Sequence, residues 1–224
     1  MIVRVKEPIT LVGGAEFADT TFERARALAP LLVAADSGAD RVLSLGDMPE
    51  AVIGDFDSIS ADTRARIPAA AQHVIAEQES HDFDKCLRNI DSPLIIGVGF
   101  SGARLDHQLA ACNTLVRHPG RRCVLVGEDD LVFLVPPILR LPLPEGCLVS
   151  LFPMGAVEGV SDGLHWPIGG INFAPDRQVG TSNRALGRIM VSVTAPKMLM
   201  MLPPQHLDIV ATALLESRVS WPDA

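Results

Sequence analysis

Over its first 135 residues the chain alternates short apolar runs with longer helical stretches, and this alternation constrains its fold more than any other feature. Ile9–Val12, Leu31–Ala35, Ala51–Ile53, His73–Ile75, Leu94–Val98 and Cys123–Val126 read as strands. Between them, Thr20 or Thr21 to Leu28, Ser60 to Ile67, Asp82 to Ile90 and Leu105 to Arg117 read as helices, with Ser60 placed to cap the second. Such alternation predicts parallel strands with helices on both faces. In sheets of that kind ligands bind beyond the carboxyl ends of the strands.

The expected class is therefore α/β, with an N-terminal Rossmann-like parallel sheet. The pattern changes at Val135–Pro144, where Pro136, Pro137, Pro142 and Pro144 crowd together. Proline at this density disfavours helices and central strands, so a linker is expected there, with domains at 1–138 and 139–224. Downstream, Cys147–Phe152, Ala156–Val160, Arg188–Val193 and Lys197–Leu202 read as short strands between glycine and proline turns, which predicts a smaller antiparallel β-sandwich. Leu207–Ser217 reads as a terminal helix.

Three acidic clusters follow predicted strands: Gly54-Asp55-Phe56-Asp57-Ser58, His81-Asp82-Phe83-Asp84-Lys85 and Arg104-Leu105-Asp106-His107. The glycine-rich stretch Gly97–Gly102 leads into the third. Carboxylates gathered in one place repel one another unless a cation lies among them, and Mg²⁺ beside a phosphate is the usual one. The whole chain carries a formal net charge of −8, and residues 1–140 hold 20 of its 27 acidic side chains. That balance excludes the basic stripe of a nucleic-acid binder. A polyanionic ligand at this acidic half would need a metal ion as intermediary. The 48% hydrophobic content supplies a sizeable core, and no apolar run is long enough to span a bilayer. Cys86, Cys112, Cys123 and Cys147 lack metal-binding spacing and read as reduced, buried thiols of a cytoplasmic protein.

Each cluster taken singly has a plainer reading. Asp55 and Asp57 suit a shared cation after a strand, but also a solvated turn that caps the next helix. An Asp-x-Asp after a strand is also the nucleophilic motif of haloacid-dehalogenase-like phosphatases, although that motif lies near the start of its domain. Asp82 and Asp84 suit the first turn of a helix, and Lys85 lies one turn from Asp82, within reach of a phosphate. Gly97–Gly102 spells Gly-x-Gly-x-x-Gly but lacks the following Lys-Ser/Thr of a P-loop, and no acid stands where dinucleotide binders hold ribose. Arg104 suits a phosphate or a carboxylate.

Taken together, the motifs resemble the thiamine pyrophosphokinase family. The matching stretches are Ala34–Ala39, Gly54–Ile59, Gln78–Lys85, Gly102–His107, Gly163–Trp166 and Gly180–Asn183, in the family's order. The resemblance implies Mg²⁺-dependent transfer of the β,γ-diphosphate of ATP to the alcohol of thiamine, giving thiamine diphosphate and AMP. It implies a homodimer, with thiamine and ATP bound where domains of different subunits meet. By motif position, Asp55, Asp57 and Asp82 are the metal and diphosphate carboxylates, flanked by Gln78 and Lys85. Asp36, Gly38, Arg104, Asp106 and His107 fall on the ATP side, and Trp166, Ser182 and Asn183 on the thiamine side. The chain departs from the family pattern at Ser37, His81 and Ala103 but keeps every motif carboxylate. A phosphatase using Asp55 and a non-enzymatic thiamine or nucleotide sensor are the alternatives.

Overall fold

A computed structural model describes residues 1–102, 104–217 and 219–222. The elements run β1 (Val3–Arg4), β2 (Ile9–Val12), α1 (Asp19–Leu28), β3 (Leu31–Ala35), α2 (Gly38–Ser44), β4 (Ala51–Gly54), α3 (Ala61–Arg66), β5 (Gln72–Val74), α4 (Asp82–Asn89), β6 (Ile90–Asp91), β7 (Ile95–Val98), α5 (Leu105–Arg117) and β8 (Cys123–Val126). They continue as β9 (Leu131–Leu134), β10 (Ile138–Pro142), β11 (Leu148–Pro153), β12 (Gly159–Leu164), β13 (Gly180–Val193), β14 (Met198–Leu202) and α6 (Leu207–Glu216). The chain is a mixed α/β protein with two compact units. One comprises Met1–Thr114 with Leu125–Glu128, the other Leu115–Val124 with Asp129–Ala224.

In the first unit β2 pairs with β7, and β3, β4 and β5 pair in order, all in parallel. A short parallel pair joins β1 to β6. β2, β4 and β7 are buried along their whole length, as strands covered on both faces must be. α1 packs on β2 and β7, α2 on β2 and β3, and α4 on β3 and β4. Ser60 caps α3 as its position in the sequence predicts, its Oγ accepting from Thr63 N at 3.2 Å. The helix α2 is not evident in the sequence, because it rises directly from the Asp36-Ser37-Gly38 turn without a separate start signal.

In the second unit the strands from β9 to β14 pair antiparallel among the described residues. β10 and β11 both pair with β13, β11 also with β14, β14 with β9, and β12 with β13. Burial alternates along β10 and β11, so one face is apolar and the other wet. Part of the proline-rich segment is a strand here, where the sequence predicts a linker. Ile138–Pro142 forms β10, and a terminal strand with a single neighbour tolerates proline because it can leave an N–H unpaired. β13 is also far longer than the expected Arg188–Val193 and runs back to Gly180 through segments that read as turns. α6 packs on β10. No helix among the described residues is long and apolar enough to cross a membrane.

Candidate functional site

The carboxyl ends of β3 and β4 lie abreast, because their register matches Ala35 with Ile53. Asp36 and Asp55 therefore leave neighbouring strands side by side. A side chain at Gly54 would place its Cβ 2.8 Å from Asp36 Cβ, so glycine there makes room for the aspartate. Gly38 meets a similar limit, since a Cβ on it would lie 2.1 Å from the Val12 carbonyl oxygen. That glycine lets α2 begin close against the end of β2, a packing role beside the ATP-side role its motif implies.

Among the described residues, only Asp36, Phe56 and Ser182 have a left-handed backbone without being glycine, with φ of 42°, 66° and 62°. Such conformations persist where surrounding structure enforces them, and they concentrate at functional sites. All three fall in segments that the sequence singles out. Phe56 turns the chain between Asp55 and Asp57, its ring buried and covered by the Arg64 guanidinium at 5.2 Å. Within the turn Asp57 N donates to Asp55 Oδ1 at 3.3 Å, and Ser58 Oγ donates to Asp57 Oδ1 at 2.7 Å.

Lys85 is the electrostatic centre of the site. Its side chain is 1% exposed, and Nζ lies 2.6 Å from Asp55 Oδ2 and 3.1 Å from Asp82 Oδ1. Gln78 Nε2 donates to the same Asp55 oxygen at 3.1 Å. Burial by itself would raise the Asp55 pKa. The Lys85 hydrogen bond, the Asp57 amide and Gln78 outweigh it and hold the group below the usual carboxylate range. Asp82 goes the other way despite its ion pair: burial, with the charges of Asp55 and Asp57, pushes its pKa up. Burial tends to lower Lys85, but the two carboxylates prevail and raise it.

Asp36 is buried, and its Oδ2 accepts from Ser58 N at 3.2 Å. Its Oδ1 is buried with no hydrogen-bond partner. Burial and then the Asp82 charge push its pKa up. Carboxylate oxygens of Asp36, Asp55 and Asp57 lie within 4.8 Å of one another. A hard divalent cation fits this set: the donors are all carboxylate oxygens, and one of the three residues, Asp36, also carries an orphaned buried oxygen.

The surroundings fix these groups from outside. Asp40 on α2 accepts from both the amide and the hydroxyl of Ser60, which ties α2 to α3. The loop carrying Gln78 is pinned by Glu77, which accepts from Ser80 and from Arg88 on α4. The Ser80 hydroxyl first, then Arg88, lower the Glu77 pKa to about 2. Asp84 is buried as well, with Arg88 at 3.9 Å, so it does more than favour a helix start. The Phe83 and Phe100 rings pack at 4.6 Å, tilted by 39°, and join the glycine-rich loop to α4.

The third cluster is exposed. Arg104 forms a two-pronged pair with Asp106, at 2.6 and 3.2 Å, and Asp106 Oδ1 also accepts from His107 N. His107 lies 5.9 Å from the His81 ring, which sets it beside the Asp82 segment. Ala103 lies outside the described residues.

In the second unit Asn183 is buried, and both ends of its amide are hydrogen-bonded. Its Oδ1 accepts from Trp166 N at 3.1 Å and Arg184 N at 2.8 Å, and its Nδ2 donates to Trp166 O at 2.7 Å. Trp166 is 55% exposed, with the His165 ring edge-on at 4.4 Å. Ser182 is exposed and donates its amide to Ser150 Oγ at 3.0 Å. Asn183 thus holds the Trp166 loop, a role its side-chain type signals only once β13 and that loop are seen together.

Carboxylates at adjacent strand ends, with a buried lysine of α4 beside them, can hold a divalent cation and through it a phosphate. Residues 22–125 match the family model described as "Thiamin pyrophosphokinase, catalytic domain". "Thiamine pyrophosphokinase 1" of Arabidopsis thaliana is 30% identical over 154 residues, which cover 60% of this chain and 58% of that protein. The chain therefore spans less than two thirds of that relative's length. "Thiamine pyrophosphokinase 1" of Oryza sativa subsp. japonica is 27% identical over 201 residues, covering 75% of each chain. Among solved structures, a thiamin pyrophosphokinase from Geobacillus thermodenitrificans superposes with a TM-score of 0.73 at 21% identity, covering 88% of this chain and 97% of that one. The yeast thiamin pyrophosphokinase structure gives a TM-score of 0.74 at 17% identity, covering 94% and 89%. At these identities the structural likeness establishes the fold. Over residues 22–125 the chain is thus similar to the catalytic domain of thiamin pyrophosphokinases.

Proposed function

We propose that this protein is a thiamine diphosphokinase, transferring the diphosphate of ATP to thiamine and releasing AMP, in a Mg²⁺-dependent reaction. The observation that carries this reading is Lys85, buried between Asp55 and Asp82 beside Asp36 and Asp57. The thiamine hydroxyl attacks the β-phosphorus, the bond from that phosphorus to the α,β-bridging oxygen breaks, and AMP leaves with that oxygen. The hydroxyl proton passes to a carboxylate of the cluster. Bound Mg²⁺ would neutralise charge on the phosphate oxygens, with Asp55 and Asp57 as ligands and Asp82, by family resemblance, as the third. Lys85 and Gln78 orient Asp55. With both neighbouring carboxylates engaged, Lys85 acts by setting their positions and charge. Positioning and charge neutralisation then account for most of the rate.

On this reading residues 1–138 form a Rossmann-like ATP-binding domain, with Asp36, Gly38, Arg104, Asp106 and His107 on the ATP side. Residues 139–224 form a β-sandwich that binds thiamine. Trp166 offers an exposed aromatic face to the cationic ring, Ser182 a polar group beside it, and Asn183 fixes the loop. We place the enzyme in the cytoplasm as a homodimer, which light scattering tests as about twice the 24.0 kDa chain mass.

The decisive assay measures AMP from thiamine, Mg²⁺ and ATP, omitting each component in turn. AMP formed only with all three supports the reading. Inorganic phosphate released from a monoester points instead to a phosphatase. Binding of both ligands with no AMP points to a sensor.

A further inference from the structure

Gln78 reaches the acidic cluster from an unpromising place. It lies within residues 75–81, an irregular segment between β5 and α4, and it is exposed. Its amide donates to Asp55 Oδ2 at 3.1 Å, the oxygen that Lys85 Nζ also meets. One exposed hydrogen bond returns less free energy than ordering several loop residues costs, so other contacts must hold this segment. Glu77 supplies them. Its Oε2 accepts from Glu79 N at 2.7 Å and from Ser80 N at 3.1 Å. Its Oε1 accepts from the Ser80 hydroxyl and from Arg88 Nη2. Arg88 stands in the last turn of α4, and its Nη1 lies 3.9 Å from Asp84, which is buried on the same helix. The guanidinium fork thus spans a carboxylate of the loop and a buried carboxylate of α4. Four donors converge on Glu77, close the turn in which Gln78 stands, and tie it to the helix that carries Asp82 and Lys85.

We infer that Glu77 and Arg88 are positioning residues for diphosphate transfer, acting through Gln78 by setting its amide against Asp55. The inference rests on the diphosphokinase reading for the reaction that this positioning serves. The test measures AMP formation by the full chain from thiamine, Mg²⁺ and ATP, below the melting transition of every variant. Glu77→Ala should lower kcat about tenfold, as misplacement of a catalytic group does, with KM for both substrates within about twofold. Arg88→Ala should lower kcat in the same way, and Arg88→Lys, which keeps the charge, should restore most of it. In a Gln78→Ala background Glu77→Ala should cost less than about twofold, because the group it positions is already gone. A purely structural role predicts the same factor in both backgrounds, and that result overturns the inference. So does wild-type kcat in Glu77→Ala. Circular dichroism and a cooperative melt establish that each variant is folded, and Glu77→Gln takes the place of Glu77→Ala if the latter is not. The side-chain amide resonance of Gln78, assigned by its absence in Gln78→Ala, is followed in parallel by heteronuclear NMR. It should move to the free-glutamine position in Glu77→Ala, and an unmoved resonance also overturns the inference. AMP from the wild type with no such coupling to Gln78 removes this inference and leaves the function standing. A wild type that forms no AMP, with the resonance displaced by Glu77→Ala, keeps the clamp and removes the diphosphokinase reading.

Discussion

Replacing Lys85 by Met tests whether one buried ammonium holds the acidic site together. Methionine keeps a long apolar stem in the same space and removes the charge and its donors. Lys85 Nζ contacts Asp55 Oδ2 at 2.6 Å and Asp82 Oδ1 at 3.1 Å, with the lysine side chain 1% exposed. Removing one partner of a buried ion pair costs about 3–5 kcal/mol, because the other charge is left uncompensated. The Asp55 side chain is 10% exposed and that of Asp82 32%, so water recovers part of the loss for Asp82. The expected cost is therefore near the lower end, about 3 kcal/mol. In a chain of this length that lowers the melting temperature by about 6–12 °C. The pH dependence follows from the shifted groups. The depressed Asp55 pKa contributes stability that is present above its unfolded value and lost as pH falls through its folded value. The raised Lys85 pKa contributes stability that is present below the unfolded lysine value and lost only as pH rises through its folded value. The deficit of Lys85→Met should thus be full at neutral pH and shrink through the carboxylate range. Calorimetry in EDTA across that range measures it, and Mg²⁺ should recover part of the loss by replacing the missing charge. A variant melting within about 2 °C of wild type at neutral pH, or a deficit that grows on acidification, refutes the reasoning.

Other perturbations read other parts of the molecule. In EDTA at neutral pH, Asp36→Asn should stabilise the protein by about 1 kcal/mol, because it removes a buried charge with an unsatisfied oxygen. Since the Asp36 pKa is raised on folding, wild-type stability recovers as pH falls through that folded value, and the advantage should vanish below the ordinary carboxylate range, as thermal melts would show. Asn183→Ala removes all the bonds that tie the Trp166 loop to β13 through this side chain. It should cost about 2 kcal/mol and raise KM for thiamine while leaving KM for ATP unchanged. Ser60→Ala should cost about 1 kcal/mol by denaturant unfolding, through loss of the α3 cap and of the hydroxyl bond to Asp40.

What the sequence could and could not disclose follows from the range of the interactions involved. Local signals were sufficient wherever one segment decided its own structure: β3, α5, β8 and the Ser60 cap lie where the apolar runs and capping residue put them. They failed where a neighbour decided. Val135–Pro144 holds prolines that disfavour a central strand, yet Ile138–Pro142 pairs with β13 along a single side. Gly180–Asn183 has turn composition, yet forms the start of a 14-residue strand that pairs with β11 and accommodates Ser182 at φ 62°. The site divides in the same way. Asp55 and Asp57 follow β4, Gln78 follows β5 and Asp82 and Lys85 open α4, and their order along the chain is enough to suggest a shared place. The position of Asp36 depends on β3 and β4 being neighbours in a particular register, and no residue spacing encodes that. Gly54 is the one local trace of it, because a strand end that forbids a side chain implies that something else occupies the space. What occupies it is the Cβ of Asp36, 2.8 Å from where a Gly54 side chain would begin. The steric demand at Gly54 and the unpartnered oxygen of Asp36 are thus two consequences of one register, which sets a buried carboxylate with an open acceptor beside Asp55.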